Sequence, residues 1–170
     1  MVQVIQALRE DHKALADLLR YLEHQIDAQR SQEQPDFALI GHTLERCLNQ
    51  VVASQARKTE LILQRLRARK ETAAEAVGPK AAERAAEHDR LVELTKGFSA
   101  AVAEMQQRAI DRRPDWHDEL DRFGRASVLA FWDYMQRTEQ LVLPVAMLML
   151  TEEDWTRVDA QLEDLTDPPA

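Results

Sequence analysis

The chain has 170 residues, of which 22 are basic and 30 acidic, for a net charge of −8. Gly (4) and Pro (6) are scarce, whereas Ala, Leu, Glu, Gln and Arg abound, a helix former's alphabet with few signals for strands or hairpins. The charges are dispersed without a basic block, which speaks against a nucleic-acid partner. The single Cys47 excludes an internal disulfide framework and fits a reducing compartment. Arg9, Glu10 and Asp11 fall too early for the apolar core of a signal peptide, and no apolar run approaches the ~18 residues of a membrane span. One soluble, cytoplasmic domain over residues 1–170, with no membrane partner, is the expectation.

The first predicted helix carries Ile5, Leu8, Leu15, Leu19, Leu22 and Ile26 at alternating steps of three and four, the seam of a helix packed lengthwise. His12 occupies the seam position between Leu8 and Leu15. A break at Ser31 to Pro35 follows, and Asp36 is placed to cap a second helix with Phe37, Ile40, Leu44, Cys47, Val51, Ser54, Lys58 and Leu61 on its seam. Gly78-Pro79 is expected to punctuate the next connection. The third seam reads Ala81, Ala85, His88, Leu91, Thr95, Phe98, Val102 and Met105. Arg113-Pro114-Asp115 opens a fourth helix with Leu120, Phe123, Ser127, Phe131, Tyr134, Thr138, Leu141 and Val145 inward. Pro144 should end or kink it. Thr151-Glu-Glu-Asp154 signals a short final helix through about Leu162, and the terminal Asp167-Pro-Pro-Ala should fray. The pattern predicts an all-α, antiparallel up-down four-helix bundle with a short C-terminal helix.

The two halves resemble each other. Asp11-His12-Lys-Ala-Leu15-Ala-Asp17-Leu18 matches Glu87-His88-Asp-Arg-Leu91-Val-Glu93-Leu94, and Arg57-x-x-x-Leu61-Ile-Leu63 matches Arg137-x-x-x-Leu141-Val-Leu143. A duplicated helix pair packs as two hairpins about a pseudo-twofold axis. His12 then pairs with His88, Ser54 with Tyr134 and Lys58 with Thr138, all six converging near mid-bundle, where bundle proteins build metal sites.

These motifs, with the Glu139-x-x-x-Leu143-Pro144 run and the closing Thr-Glu-Glu-Asp-Trp155, resemble the bacterial hemerythrin-like (HHE cation-binding) family over nearly the whole chain. The resemblance implies a non-haem diiron centre, used by relatives for oxygen binding, oxygen or iron sensing, or nitric-oxide-related repair. It implies His12 and His88 as residual metal ligands. The second-helix ligand pair is replaced by Ser54 and Lys58, the fourth-helix pair by Tyr134 and Thr138, and an optional further histidine by Val92. Lys58 puts a cation where a bridging anion belongs, so no resident cofactor is expected. Its ammonium needs an acidic partner, for which Asp11, Glu60, Glu87 and Glu139 are candidates, and Tyr134 offers a hydroxyl to His12 or His88.

The leading expectation is a non-enzymatic binding, sensing or regulatory module with a degenerate diiron site and an unidentified protein or small-molecule partner. A second reading is a rebuilt site for a single Fe, Zn or Mn ion, made of His12, His88, Tyr134 and a carboxylate such as Glu139 or Glu60. A third fills the cavity with a small organic ligand or haem, with Tyr134 or a histidine as axial partner. No nucleophile–base pair, phosphate loop or CxxC motif supports a conventional enzyme. His24, His42 and His117 are expected at the surface, Cys47 and Met147 to Leu150 in the core, and Trp155 against the bundle. The runs Arg65 to Lys70 and Arg108 to Arg113 are expected as solvated helix ends.

Overall fold

The computed structural model describes residues 3–28, 35–69, 72–110 and 116–166. Residues 31–34, Arg113-Pro114-Asp115 and the terminal Asp167-Pro-Pro-Ala lie outside this set, as do the side chains of Val51, Ala81 and Ala85. The fold is all-α, with no strand among the described residues. The first rod is α1 (Gln3–Ala28). The second joins α2 (Phe37–Arg46) and α3 (Ala53–Ala68) through a π turn at Cys47–Val52. The third is α4 (Thr72–Ile110). The fourth joins α5 (Trp116–Arg137) and α6 (Leu143–Met149) through a π turn at Thr138–Val142, and α7 (Glu152–Thr166) closes the chain. α4 packs against α2, α3 and α5, α1 packs against α5 and the second rod, and α7 lies across α3 and the start of α1. None of these helices is long and apolar enough to cross a membrane.

Helix starts follow the local chemistry. The Asp36 side chain accepts from Leu39 N at 2.9 Å, capping α2 as the sequence predicts. Thr151 and Asp154 form a reciprocal capping box: Thr151 N donates to Asp154 Oδ2 at 3.0 Å and Asp154 N to Thr151 Oγ1 at 3.4 Å. α7 runs past Leu162 to Thr166, longer than its periodicity suggests. Its Asp159 carboxylate accepts from Gln3 N and Val4 N at 3.0 and 2.9 Å, so the last helix caps the first.

One sequence expectation fails on backbone grounds. Gly78-Pro79 lies inside α4, which already begins at Thr72. The surrounding Ala- and Glu-rich run is strongly helix-forming, and a proline's fixed φ is itself helical; the costs are one backbone hydrogen bond and a clash with the preceding turn. Pro144 does mark an interruption of its rod, as expected: α5 stops at Arg137 and a π turn separates it from α6. It sits in the first turn of α6, just after the π turn, where Leu143 N donates to the carbonyl of Thr138, five residues back. The widened turn lets the rod pass a residue that has no N–H to give.

Each π turn adds one residue to its rod, and a residue is worth ~100° of helix rotation. Seams drawn at constant period therefore slip by one position beyond it. After Cys47–Val52 the inward stripe is Val52, Gln55, Thr59, Ile62 and Leu66, while Ser54, Lys58 and Leu61 stand half-buried at its margin. After Thr138–Val142 it is Val142, Leu143 and Ala146; Leu141 is 46% exposed and Val145 half-buried. The seams of α1, of α4 from Leu91 onward and of α5 up to Thr138 hold.

Two apolar clusters result. The larger gathers Leu15, Leu19, Leu22, Leu44, Cys47, Leu91, Phe98 and Phe131 with their neighbours. At the other end, Val4, Leu8, Ile62, Leu66, Val142, Ala146, Trp155 and Val158 form the smaller. Trp155 thus anchors α7 as expected, and burial pushes the Cys47 thiol up to about 12, fitting a small core residue. Of the Met147 to Leu150 stretch only the end is inside: Met147 is 62% and Leu148 86% exposed, because α6 turns that face outward after the π turn.

Candidate functional site

Between the two clusters the first, second and fourth rods change from apolar to polar. On α1 the change falls between Leu8 and Leu15, at Asp11 and His12; on the second rod between Val52 and Ile62, at Ser54, Gln55, Lys58 and Thr59. On the fourth rod it falls at Tyr134, Thr138 and Glu139, preceding Val142, and His88 of α4, just before Leu91, stands against Tyr134. These residues make up a polar layer in which His12 meets the fourth rod at Glu139 and His88 meets it at Tyr134.

His12 Nδ1 donates to Glu139 Oε1 at 2.7 Å; because a carboxylate only accepts, the ring proton sits on Nδ1. His12 Nε2 is buried and has no hydrogen-bond partner, and the same holds for His88 Nδ1. The His88 ring stands 6.1 Å from that of Tyr134, tilted by 49°. Beside them Lys58 Nζ donates to Asp11 Oδ2 at 2.6 Å and to Ser54 Oγ at 2.9 Å, so among the four candidate carboxylates Asp11 is the partner this lysine takes. Thr138 is fully buried and returns its hydroxyl to the Tyr134 carbonyl at 3.4 Å. Glu87 pairs with Arg137 across α4 and α5.

Glu60 does not join the layer; it pairs with Arg67 at 3.1 Å on the outside of α3. Nor do His24, His42 and His117, which are exposed. Val92 is half-buried and brings no polar atom. Two residues that the constant-period seam passes over are buried there instead. Gln55 (0% exposed) and Thr59 (2% exposed) face inward, and both amide atoms of Gln55 and the hydroxyl of Thr59 have no partner. Their signal is present in the sequence: Gln55, Thr59, Ile62 and Leu66 form a helical stripe of their own, one residue out of step with Ser54, Lys58 and Leu61.

A buried polar group without a partner costs ~1–3 kcal/mol, so folds rarely tolerate several in one place unless water or a ligand completes them. Chemically the layer offers a lone pair at His12 Nε2, a second imidazole nitrogen at His88, an amide with both donors and an acceptor, and a hydroxyl. The Lys58–Asp11 pair fixes opposite charges at its edge. Among the described residues no three His, Cys, Asp or Glu side chains form a group able to hold a metal ion.

A second buried polar assembly was missed by reading Arg65 to Lys70 as a solvated helix end. Arg65 donates to Asp154 Oδ1 at 2.6 Å, and Arg69 pairs with Oδ2 and donates to Thr151 Oγ1 at 2.7 Å. Burial of Asp154 opposes ionisation most strongly. The Thr151 N–H and hydroxyl with the two guanidinium groups together outweigh it and lower the carboxyl to about 2.

Comparison of the chain with protein-family models, with curated proteins and with solved structures finds no match in any of the three.

Proposed function

We propose that this chain is a hemerythrin-like four-helix bundle, antiparallel and up-down, whose diiron site has degenerated, and that it acts as a non-enzymatic binding, sensing or regulatory module. The observation that carries this reading is Lys58. Its ammonium is held by Asp11 and Ser54 in the same polar layer as His12 and His88. A pair of irons needs bridging carboxylates to balance its charge. Here one carboxylate of the layer is already engaged by an ammonium and another by His12, and the remaining inward positions bear an amide, hydroxyls and a phenol. These donors do not fit a diiron centre. They fit a small polar ligand that can donate to His12 Nε2 and bond the Gln55 amide and the Thr59 hydroxyl.

Elemental analysis of protein purified from iron-supplemented culture tests the reading. The expected result is iron far below one equivalent and no visible chromophore; stoichiometric paired iron would overturn it.

One observation favours the second reading, a rebuilt mononuclear site. A carboxylate that binds Nδ1–H and leaves Nε2 free is the arrangement that orients and strengthens an imidazole toward a cation. His12, His88 and Tyr134 would hold a single Fe, Zn or Mn ion, with Glu139 behind His12. About one equivalent of metal, lost in His88→Ala, is the outcome that would select it.

A further inference from the structure

Adjoining the polar layer at Tyr134, α4 and α5 part to form a cleft of about 410 Å³, within the ~300–1,000 Å³ typical of small-molecule sites. It opens where both helices present alanine, Ala86 on one wall and Ala130 on the other. Leu91 and Tyr134, both buried, and Leu94 supply apolar surface. The Glu87–Arg137 ion pair ties the two helices beside it. The remaining charged groups are of both signs: Glu83 and Arg90 from α4 and Asp133 from α5, all exposed and none with a partner among the described residues.

We propose that this cleft is a binding site for a small amphipathic zwitterion, an α-amino acid with an apolar side chain. A simple organic cation would meet Glu83 and Asp133 but face Arg90 with a like charge. A simple carboxylate would meet Arg90 and face two like charges. A molecule bearing ammonium and carboxylate close together answers both signs, and its apolar body covers Leu91, Leu94 and the two alanines, removing that surface from water. The cleft shares Tyr134 with the polar layer, but the three unpaired charged groups that select the zwitterion lie outside it.

The test is a titration of isotope-labelled, full-length protein followed by amide NMR, with L-leucine and its two single-charge analogues, 3-methylbutylamine and 4-methylpentanoate. L-Leucine should give saturable shifts confined to residues 86–94 and 130–137, with each analogue binding about tenfold or more weakly. Arg90→Gln, an exposed change that breaks no contact among the described residues, should weaken L-leucine about tenfold and, by removing a like charge, tighten the amine. Ala130→Phe, which fills the cleft, should abolish the shifts while circular dichroism stays that of the parent. The proposal is overturned by any of three results: no saturable shift with L-leucine, an analogue that binds as tightly, or an Arg90→Gln protein with undiminished affinity. Iron content bears on the diiron reading and on none of these, so the two fail separately.

Discussion

Two buried polar assemblies link the rods, and they are built on opposite terms. At Asp154 the chain supplies every partner: Arg65 to one oxygen, and Arg69 with the N–H and hydroxyl of Thr151 to the other. In the layer around His12 and Lys58 it supplies partners at the edge and leaves the inner atoms of His12, Gln55, Thr59 and His88 without any. A completed network behaves as a structural clamp, since each member is worth more inside than in water. An incomplete one costs stability unless something else completes it, which is the signature of a site rather than a fastening.

The largest expected effect lies on the completed side. Asp154→Ala strands two guanidinium groups against the helix end and removes a cap, and should cost about 3 kcal/mol in urea denaturation. The same carboxyl sets an acid limit. Its folded pKa is lowered to about 2, so its contribution is full above the ordinary carboxyl range and is lost as pH falls from about 4 toward 2. Asp154→Asn should flatten stability over that window; an unchanged acid slope would remove Asp154 from the account.

Lys58→Met tests the edge of the layer. It leaves the Asp11 carboxylate half-buried without its cation and should cost about 1–2 kcal/mol, less than Asp154→Ala because one ion pair is lost rather than two ion pairs and a helix cap. The smallest effect has the opposite sign. Gln55→Leu replaces an amide that has no partner by an apolar side chain of similar size, and should stabilise the ligand-free protein by about 1 kcal/mol. A loss of stability on that substitution would place Gln55 in a completed network and erase the contrast with Asp154.

Much of the helix content was legible because it rests on period and caps, which are local. The α1 seam, the Asp36 cap, the Thr151–Asp154 box and the burial of Trp155 all follow from spacing and hydrogen-bond chemistry. What was not legible depends on the two π turns. Each changes which residues point inward without changing the composition around it, so the constant-period seam takes in Ser54 and Lys58 and passes over Gln55 and Thr59. The same slip exposes Leu141. The partner of Lys58 was narrowed to four carboxylates by sequence; only the packing of α1 on the second rod selects Asp11. The roles of Arg65 and Arg69 required the docking of α7, a contact about eighty residues away along the chain that no local pattern encodes.

The central claim, that the layer's imidazoles belong to a degenerate site rather than to an iron pair, is tested most directly by nitrogen NMR of the His12 and His88 rings, with and without added Fe(II). The account expects His12 to hold its proton on Nδ1 toward Glu139, and both rings to keep their resonances unchanged as iron is added. Stoichiometric loss of both histidine signals through paramagnetic broadening, with the rest of the spectrum intact, would contradict it.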